Sequence, residues 1–300
     1  MHASTTRTMK PSEWLLLIFL AILWGGSFFF GKVALQEVKP LTIVLARVGI
    51  AALALDALLV FSGLRTPNLL AKWKAFSTMG LLNNLLPFSL IFWGQSHIPS
   101  SSASILNASA PVWAVLPARF YTREERLSLN RSGDVFFGLT GVAIMIGTDA
   151  LRGAGVEALA PSAVVGAAIS YAFAGIYVKR FKDLPPLATA AGQLTVTTVI
   201  RLPPTLLIEK PWVQAMPGMR VWGALVGLAL LSTAPVYIIY FRLLSAVGPT
   251  NLLLVTFLIP VSATILGTLL LNEHPTLRQL TGMGIIALGL VMIDGRIAGA

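Results

Sequence analysis

Residues 92–114 read FWGQSHIPSSSASILNASAPVWA, and residues 241–263 read FRLLSAVGPTNLLLVTFLIPVSA, so one stretch of the chain returns in altered form 149 positions later. The same shift continues beyond the quoted segments, and earlier in each half a shift of 147 takes its place. The second half of the chain is therefore predicted to repeat the first. The two shifts superpose these pairs: Phe92 and Phe241, Ser96 and Ser245, Pro111 and Pro260, Glu124 and Glu273, Lys32 and Lys179.

The composition places this repeat in a membrane. The chain is 56% hydrophobic and only 11% charged, whereas ordinary soluble domains contain about 25% charged residues. Its mean hydropathy of +0.80 excludes a normal solvated surface. No long polar stretch leaves room for a separate soluble domain. The first apolar segment lacks a small-residue cleavage site, which indicates a retained helix and not a removed signal peptide.

The apolar runs predict ten spans, since a bilayer needs about 20 apolar residues per helix. We predict an all-α polytopic membrane protein with a first repeat in residues 1–152 and a second in 153–300. Because each repeat holds an odd number of spans, the copies must be inverted, which is the usual build of a secondary transporter. The predicted spans are 14–34, 42–62, 74–95, 101–119, 132–149, 160–179, 187–208, 221–243, 250–271 and 277–295.

The basic residues predict the orientation. The net charge is +10, but the cations lie in short loops at span ends, which argues against nucleic-acid binding. With the N-terminus inside, fourteen Lys and Arg fall on the inner side and seven on the outer side. This bias predicts that both termini are cytoplasmic and that the loops meet anionic lipid.

Four prolines inside predicted spans form two repeat-related pairs, Pro87 with Pro235 and Pro111 with Pro260. Proline removes a backbone hydrogen bond and kinks a helix, and in lipid the freed carbonyl must find a partner or line a wet cavity. Polar side chains occupy the preceding turns: Asn83, Asn107, Ser232 and Thr256. Two interpretations stay open. Either these groups satisfy the freed carbonyls, or their faces line a central cavity and contact substrate.

Aromatic and charged side chains inside the spans give further candidates. Trp24, Trp113 and Tyr237 lie deep in their spans, and we include Tyr171 with them as candidate substrate contacts. Arg47 lies one and a half turns into the second span, where anchoring by snorkelling and a functional role are equally open. The cavity is expected to lack a fixed charge.

No catalytic or cofactor site is predicted. The chain has three histidines, none at metal-ligand spacing, and no cysteine. No serine lies in a nucleophile elbow beside a base. We therefore predict neither a metal, nor a cofactor, nor an enzymatic activity, and the spans lack the continuous polar stripe of a channel.

A further set of motifs occurs in order along both halves of the chain. They are Leu23-Trp24-Gly25-Gly26-Ser27-Phe28, Pro40-Leu41, Arg47, Ala110-Pro111-Val112 with Glu124, Gly133, Gly138 and Gly141, and Ile259-Pro260-Val261 with Glu273, Gly282 and Gly289. These motifs resemble those of the EamA-type members of the drug/metabolite transporter superfamily, and most closely bacterial amino-acid exporters of the YddG type. That resemblance implies ten helices in two inverted repeats, an inner-membrane location and export of small solutes. It also implies a cavity lined by spans one, three, four, six, eight and nine.

The function predicted from these observations is export of small amphipathic metabolites, chiefly aromatic and other neutral amino acids, by alternating access. A cavity with amides, hydroxyls and rings suits a zwitterion. The alternatives are efflux of drugs or purines and, after these, a membrane-embedded enzyme or a channel. Sugar-phosphate exchange would require two or more buried cations. The predicted partners are a small-molecule substrate and the lipid bilayer; the oligomeric state stays open, with a monomer plausible.

Overall fold

The regular structure is helical wherever the chain is described. The computed structural model describes residues 9–64, 68–113, 137, 139–145, 155–252 and 254–293, and these ranges contain no strand. A π-helical turn, Leu81–Leu85, joins the third and fourth helices. The helices are α1 Pro11–Ala34, α2 Pro40–Phe61, α3 Trp73–Gly80, α4 Leu86–Gln95, α5 Ser100–Asn107, α6 Ala110–Trp113, α7 Val156–Tyr177, α8 Pro186–Ile208, α9 Met219–Leu230, α10 Ala234–Leu252, α11 Val255–Leu271 and α12 Leu277–Ile293.

Five helical stretches of the described residues are long and apolar enough to cross a bilayer, which confirms the all-α polytopic fold. α8 is also long, but Gln193, Arg201 and several threonines make it less apolar. Parts of the fourth and fifth predicted spans, and the predicted boundary between the repeats after residue 152, lie outside the described residues. The five stretches are Pro11–Ala34, Pro40–Phe61, Trp73–Gln95, Ala158–Phe181 and Met219–Tyr240.

The helix contacts come in pairs that the sequence repeat exchanges. α1 packs against α11 and α10, and α7 packs in the same way against α5 and α4. Likewise α3 packs against α8, while α9 packs against α2. The pairs α2 with α8 and α5 with α11 map onto themselves. A two-fold axis between the two copies produces this exchange, as expected for a transporter built from inverted repeats.

Close approach of α1 to α11 depends on a glycine. A Cβ atom on Gly25 would lie 2.9 Å from the backbone nitrogen of Ala263 and would also overlap the side chain of Ser262. Small residues allow such backbone contact in lipid, where no hydrophobic force drives helices together. The Ser262 hydroxyl donates to the Ala21 carbonyl across the same contact, at 2.8 Å.

Two helix N-termini at one end of the bundle are capped by glutamates of the second repeat. Neither α2 nor α5 has a side-chain cap from its own N-cap residue. Glu209 instead accepts from the backbone N–H groups of Leu41 and Thr42, at 2.9 and 2.7 Å. Glu273 does the same for the N–H groups of Ser100 and Ser101, at 2.7 and 3.0 Å. Free N–H groups and the helix dipole both favour a carboxylate there.

Helical regularity is lost just before three of the four predicted kink prolines. The π turn ends two residues before Pro87. The helix is interrupted at residues 108–109, before Pro111, and again at residues 231–233, before Pro235. Pro260, in contrast, lies inside the helix that runs from Val255 to Leu271. Proline lacks the N–H that would close the preceding turn, which explains the three interruptions.

Candidate functional site

The π-helical turn in the third span leaves one backbone carbonyl without a donor from its own helix, and a neighbouring helix supplies the donor instead. The N–H of Leu86 bonds to the Leu81 carbonyl, five residues back. In this register the next donor would serve the Leu82 carbonyl, but residue 87 is proline and has no N–H. The Ser170 hydroxyl of α7 donates to that carbonyl at 2.7 Å. The freed carbonyl is therefore satisfied from the other repeat and not by Asn83, so the side chain of Asn83 is left for other contacts.

Asn83, Gln193 and Tyr237 form a group that we call the amide–phenol cluster. The Asn83 Nδ2 atom donates to the Tyr237 hydroxyl at 3.2 Å, and Gln193 Nε2 donates to it at 2.8 Å. Asn83 Nδ2 also lies 3.4 Å from Gln193 Oε1. The three side chains come from the π turn, α8 and α10, so the cluster joins both repeats. Because π turns occur often at functional sites, its position is a natural place for a ligand.

Arg47 lies beside this cluster and not at the membrane surface. Its side chain is only 6% exposed, and its Nε donates to the Thr233 hydroxyl at 3.0 Å. The guanidinium packs over the Phe88 ring, 3.7 Å from the ring centroid. The phenol groups of Tyr171 and Tyr237 lie in the neighbourhood of the guanidinium. The prediction that the site holds no fixed charge is therefore wrong, because contacts with spans three and eight hold a side chain that is long enough to snorkel.

The fourth span contributes Asn107 and Trp113. The Trp113 Nε1 donates to the Ser109 hydroxyl at 3.0 Å, and Ser109 donates to the Leu106 carbonyl at 2.6 Å. Ser109 thus satisfies a carbonyl at the interruption before Pro111 and fixes the indole. The Oδ1 of Asn107 is enclosed and has no partner in the described part of the chain. An enclosed acceptor without a donor is costly, and a ligand ammonium would relieve that cost.

The structure does not bring all predicted contacts to one place. Tyr171, Tyr237 and Trp113 pack against the larger of the buried apolar clusters. Trp24 packs against a separate one, where its ring lies 5.8 Å from that of Tyr240. Thr256 is half-buried in α11. The candidate site therefore centres on Asn83, Tyr171 and Tyr237.

Two further members, Gln193 and Thr233, are not predicted from the sequence. Neither precedes a proline by one turn, as Asn83 and Asn107 do. One signal was present in each case. Gln193 is an amide within a long helix, where polar side chains in lipid usually bond to other helices. Thr233 lies in the interruption before Pro235.

Comparison with known proteins assigns the family. The model of the EamA-like transporter family matches the chain twice, over residues 12–147 and 159–294. The "Uncharacterized transporter YoaV" of Bacillus subtilis is 23% identical over 277 residues, covering 92% of this chain and 94% of that protein. The "Uncharacterized inner membrane transporter YedA" of Escherichia coli is 25% identical over 280 residues, covering 92% and 89%.

A solved crystal structure has the same fold. It matches with a TM-score of 0.67 at 18% identity, over 97% of this chain and 100% of that one. Both halves of the chain match the family model separately, which agrees with ten helices in two repeats. The chain is thus a membrane transporter of the drug/metabolite transporter superfamily, and it belongs to the EamA-like transporter family.

Proposed function

We propose that this protein is a secondary transporter that exports small amphipathic metabolites by alternating access through a central cavity. Its substrates are aromatic and other neutral amino acids, as in the exporters of the YddG type that the sequence resembles. The observation that carries the proposal is the amide–phenol cluster, because it joins Asn83 of the first repeat to Gln193 and Tyr237 of the second. A site at the repeat interface changes shape when the repeats move against each other.

The chemistry of the cluster suits a zwitterion. Amide and phenol groups can each donate and accept hydrogen bonds, so they can serve a carboxylate and an ammonium in turn. Trp113 and Tyr171 add aromatic surface close to the same apolar cluster. Rings of this kind provide contact area for a bulky side chain without requiring a specific partner.

The membrane and its orientation are part of the same proposal. The protein lies in the bacterial inner membrane with both termini in the cytoplasm. The distribution of Lys and Arg between the two sides supports this orientation, and the Escherichia coli relative is named an inner membrane transporter. We propose neither nucleic-acid binding nor an enzymatic activity.

Transport by the purified protein in liposomes tests the proposal. Labelled phenylalanine and alanine would be followed in parallel for the parent and for Asn83→Leu, Asn107→Leu, Trp113→Ala and Tyr237→Phe. Loss of a buried hydrogen bond to a charged ligand lowers apparent affinity about five- to a hundredfold, which is the effect expected for the Asn variants. Trp113→Ala should impair phenylalanine more than alanine, because the lost ring area matters most for a bulky substrate.

Matched controls come from outside the site. Gln36→Leu removes an exposed amide, and Tyr177→Phe removes a phenol hydroxyl from a ring that packs with Phe181 and Arg180. Both should transport like the parent. If the parent moves neither amino acid, the substrate class is wrong. If it moves both and all four site variants do the same within roughly twofold, the site is misplaced.

A further inference from the structure

Arg47 is a buried cation that forms no ion pair with the described residues. It is the eighth residue of α2, about 10 Å from the helix start at 1.5 Å per residue. Its contacts come from spans three and eight: the Phe88 ring below the guanidinium and the Thr233 hydroxyl at Nε. Both contacts hold the group in place. Neither brings a negative charge.

No carboxylate of the described residues pairs with Arg47. The titratable groups near it are the phenols of Tyr171 and Tyr237, and its one hydrogen bond within the described ranges goes to Thr233. Taking an ion out of water without a partner costs several kcal/mol. An anion that enters from outside the protein would offset that cost.

The neighbouring phenols provide further donors for such an anion. Tyr237 accepts hydrogen bonds from two amide groups, so its own proton is free to point toward a third group. Tyr171 packs nearby against the same apolar cluster, and no hydrogen bond from its hydroxyl to a described residue is formed. The guanidinium fork and two phenol protons match the two oxygens of a carboxylate, which arginine binds in a bidentate manner.

The charge balance selects a monocarboxylate. One guanidinium neutralises one negative charge, whereas a phosphate ester carries nearly two and would require a second cation. The other buried arginine of the described residues, Arg201, has Glu209 within electrostatic reach and is not among the groups that contact Arg47.

We infer that Arg47, assisted by Tyr171 and Tyr237, is the receptor for the carboxylate of the substrate, so that the transported compounds are monocarboxylates, zwitterionic amino acids included. The inference rests on the proposed transport function. It names the residue that receives the carboxylate of the substrate, and it extends the substrate class from neutral amino acids to monocarboxylates without an ammonium group. Asn83 and Gln193 position the phenol of Tyr237 for this contact.

Three compounds with one carbon skeleton test the inference: phenylalanine, phenylalaninamide and 3-phenylpropionate. Each is titrated against the purified protein, and its protection against thermal unfolding is measured. The parent should be protected by phenylalanine and 3-phenylpropionate and not by phenylalaninamide. In Arg47→Gln the half-saturating concentration of both carboxylates should rise about tenfold to a hundredfold, as for a lost hydrogen bond to a charged group. Arg47→Lys keeps the charge without the fork and should fall between.

Arg180→Gln is the matched control, because Arg180 also packs on an aromatic ring, that of Tyr177, but is exposed. It should bind all three compounds like the parent. If Arg47→Gln does not fold, the half-saturating concentrations of both carboxylates are measured in Arg47→Lys and Thr233→Val instead. Both of these variants retain Phe88 and the ring contact.

Several results would overturn the inference: equal protection by phenylalanine and phenylalaninamide, unchanged affinity in the Arg47 variants, or no protection by any compound. Liposome transport of the same compounds separates it from the wider proposal. Arg47-dependent binding of 3-phenylpropionate without amino-acid transport would contradict only the proposed amino-acid export. Amino-acid transport that persists in Arg47→Gln would contradict only the role of Arg47.

Discussion

The glutamates at one end of the bundle and the arginine within it are all charged, but they differ in what surrounds them. Glu209 and Glu273 each accept two backbone N–H bonds and one hydroxyl bond, from Thr42 and Ser101 respectively. Arg47 has one hydrogen bond, to a neutral hydroxyl, and a ring contact. The glutamates are satisfied by the protein, and the arginine is not.

This difference separates structural charge from charge kept for a ligand. A carboxylate at a helix N-terminus satisfies orphan donors that would otherwise be unpaired, and its removal should harm folding. A buried cation without an ion pair contributes little to folding and is a functional hypothesis by default in a membrane protein. The two groups should therefore respond in opposite ways to substitution.

Glu209→Ala should have the largest effect on stability. Glu209 is 9% exposed, and its loss leaves two backbone donors and one hydroxyl of α2 without a partner. At about 1–3 kcal/mol for a buried unsatisfied group, a loss on the order of 3 kcal/mol is expected. The unfolding midpoint in detergent, followed by tryptophan fluorescence, measures it.

Transport per folded Glu209→Ala protein should remain close to that of the parent, because the residue follows α8 and caps the N-terminus of α2, and it is not part of the amide–phenol cluster. Normal stability with lost transport would instead make Glu209 a functional group and would remove the distinction between structural charge and charge kept for a ligand. Glu209→Gln should lose less stability than Glu209→Ala, since its amide oxygen still accepts a hydrogen bond.

The sequence predicted the scaffold better than these contacts. The 149-residue shift and the odd number of spans per half indicated the repeated all-α fold, because apolar length and periodicity are local properties. Asn83 and Tyr237 were also predicted, from their depth and from the proline pattern. The burial of Arg47 was not predicted, since a side chain so close to a helix end can reach the surface, and only Phe88 and Thr233 of distant segments prevent it.

Trp24 and Glu273 show the same limit. Depth within a span says nothing about which helix a ring faces, and Trp24 packs with Tyr240 away from the candidate site. The repeat drew attention to Glu273, but the helix that it caps begins at Ser100, far away in the sequence. Long-range hydrogen bonds of this kind depend on how helices pack and leave no local pattern.

Gly267→Ala should disturb the second glutamate with a somewhat smaller effect. A Cβ at this position would lie 2.7 Å from the Glu273 Oε2 and 3.1 Å from the Ser100 Oγ. The carboxylate is held by three hydrogen bonds and cannot yield freely, so a loss of about 1–3 kcal/mol is expected from overpacking. Gly175→Ala, where nothing lies within 4 Å, is the matched helical control and should be neutral or stabilising by up to about 1 kcal/mol. Equal midpoints for the two variants would show that Glu273 is not held as described.

Ser170→Ala tests whether the π turn depends on the other repeat. The Leu82 carbonyl loses its donor, and a net cost of about 1 kcal/mol is expected. Combining it with Pro87→Ala restores an N–H at residue 87, so the double variant should lose less stability than the sum of the single variants. Ser162→Ala is the control, because that hydroxyl donates to the Ala158 carbonyl within its own helix. If the stability losses of the two single variants simply add, the restored N–H at residue 87 does not replace the Ser170 hydroxyl as the donor to the Leu82 carbonyl.

Glu37→Gln should have the smallest effect and thereby isolates the role of burial. Glu37 is exposed and accepts one backbone bond, from the N–H of Gly218 at 2.6 Å. The bond resembles those of Glu209 in type and length, but water can replace it when the charge is removed. Surface substitutions of this kind usually change stability by less than about 0.5 kcal/mol. The unfolding midpoints of Glu37→Gln and Glu209→Gln would be compared in the same detergent. A shift for Glu37→Gln as large as that for Glu209→Gln would mean that the bond itself, and not its enclosure, sets the cost, and the contrast with the enclosed Arg47 would lose its physical basis.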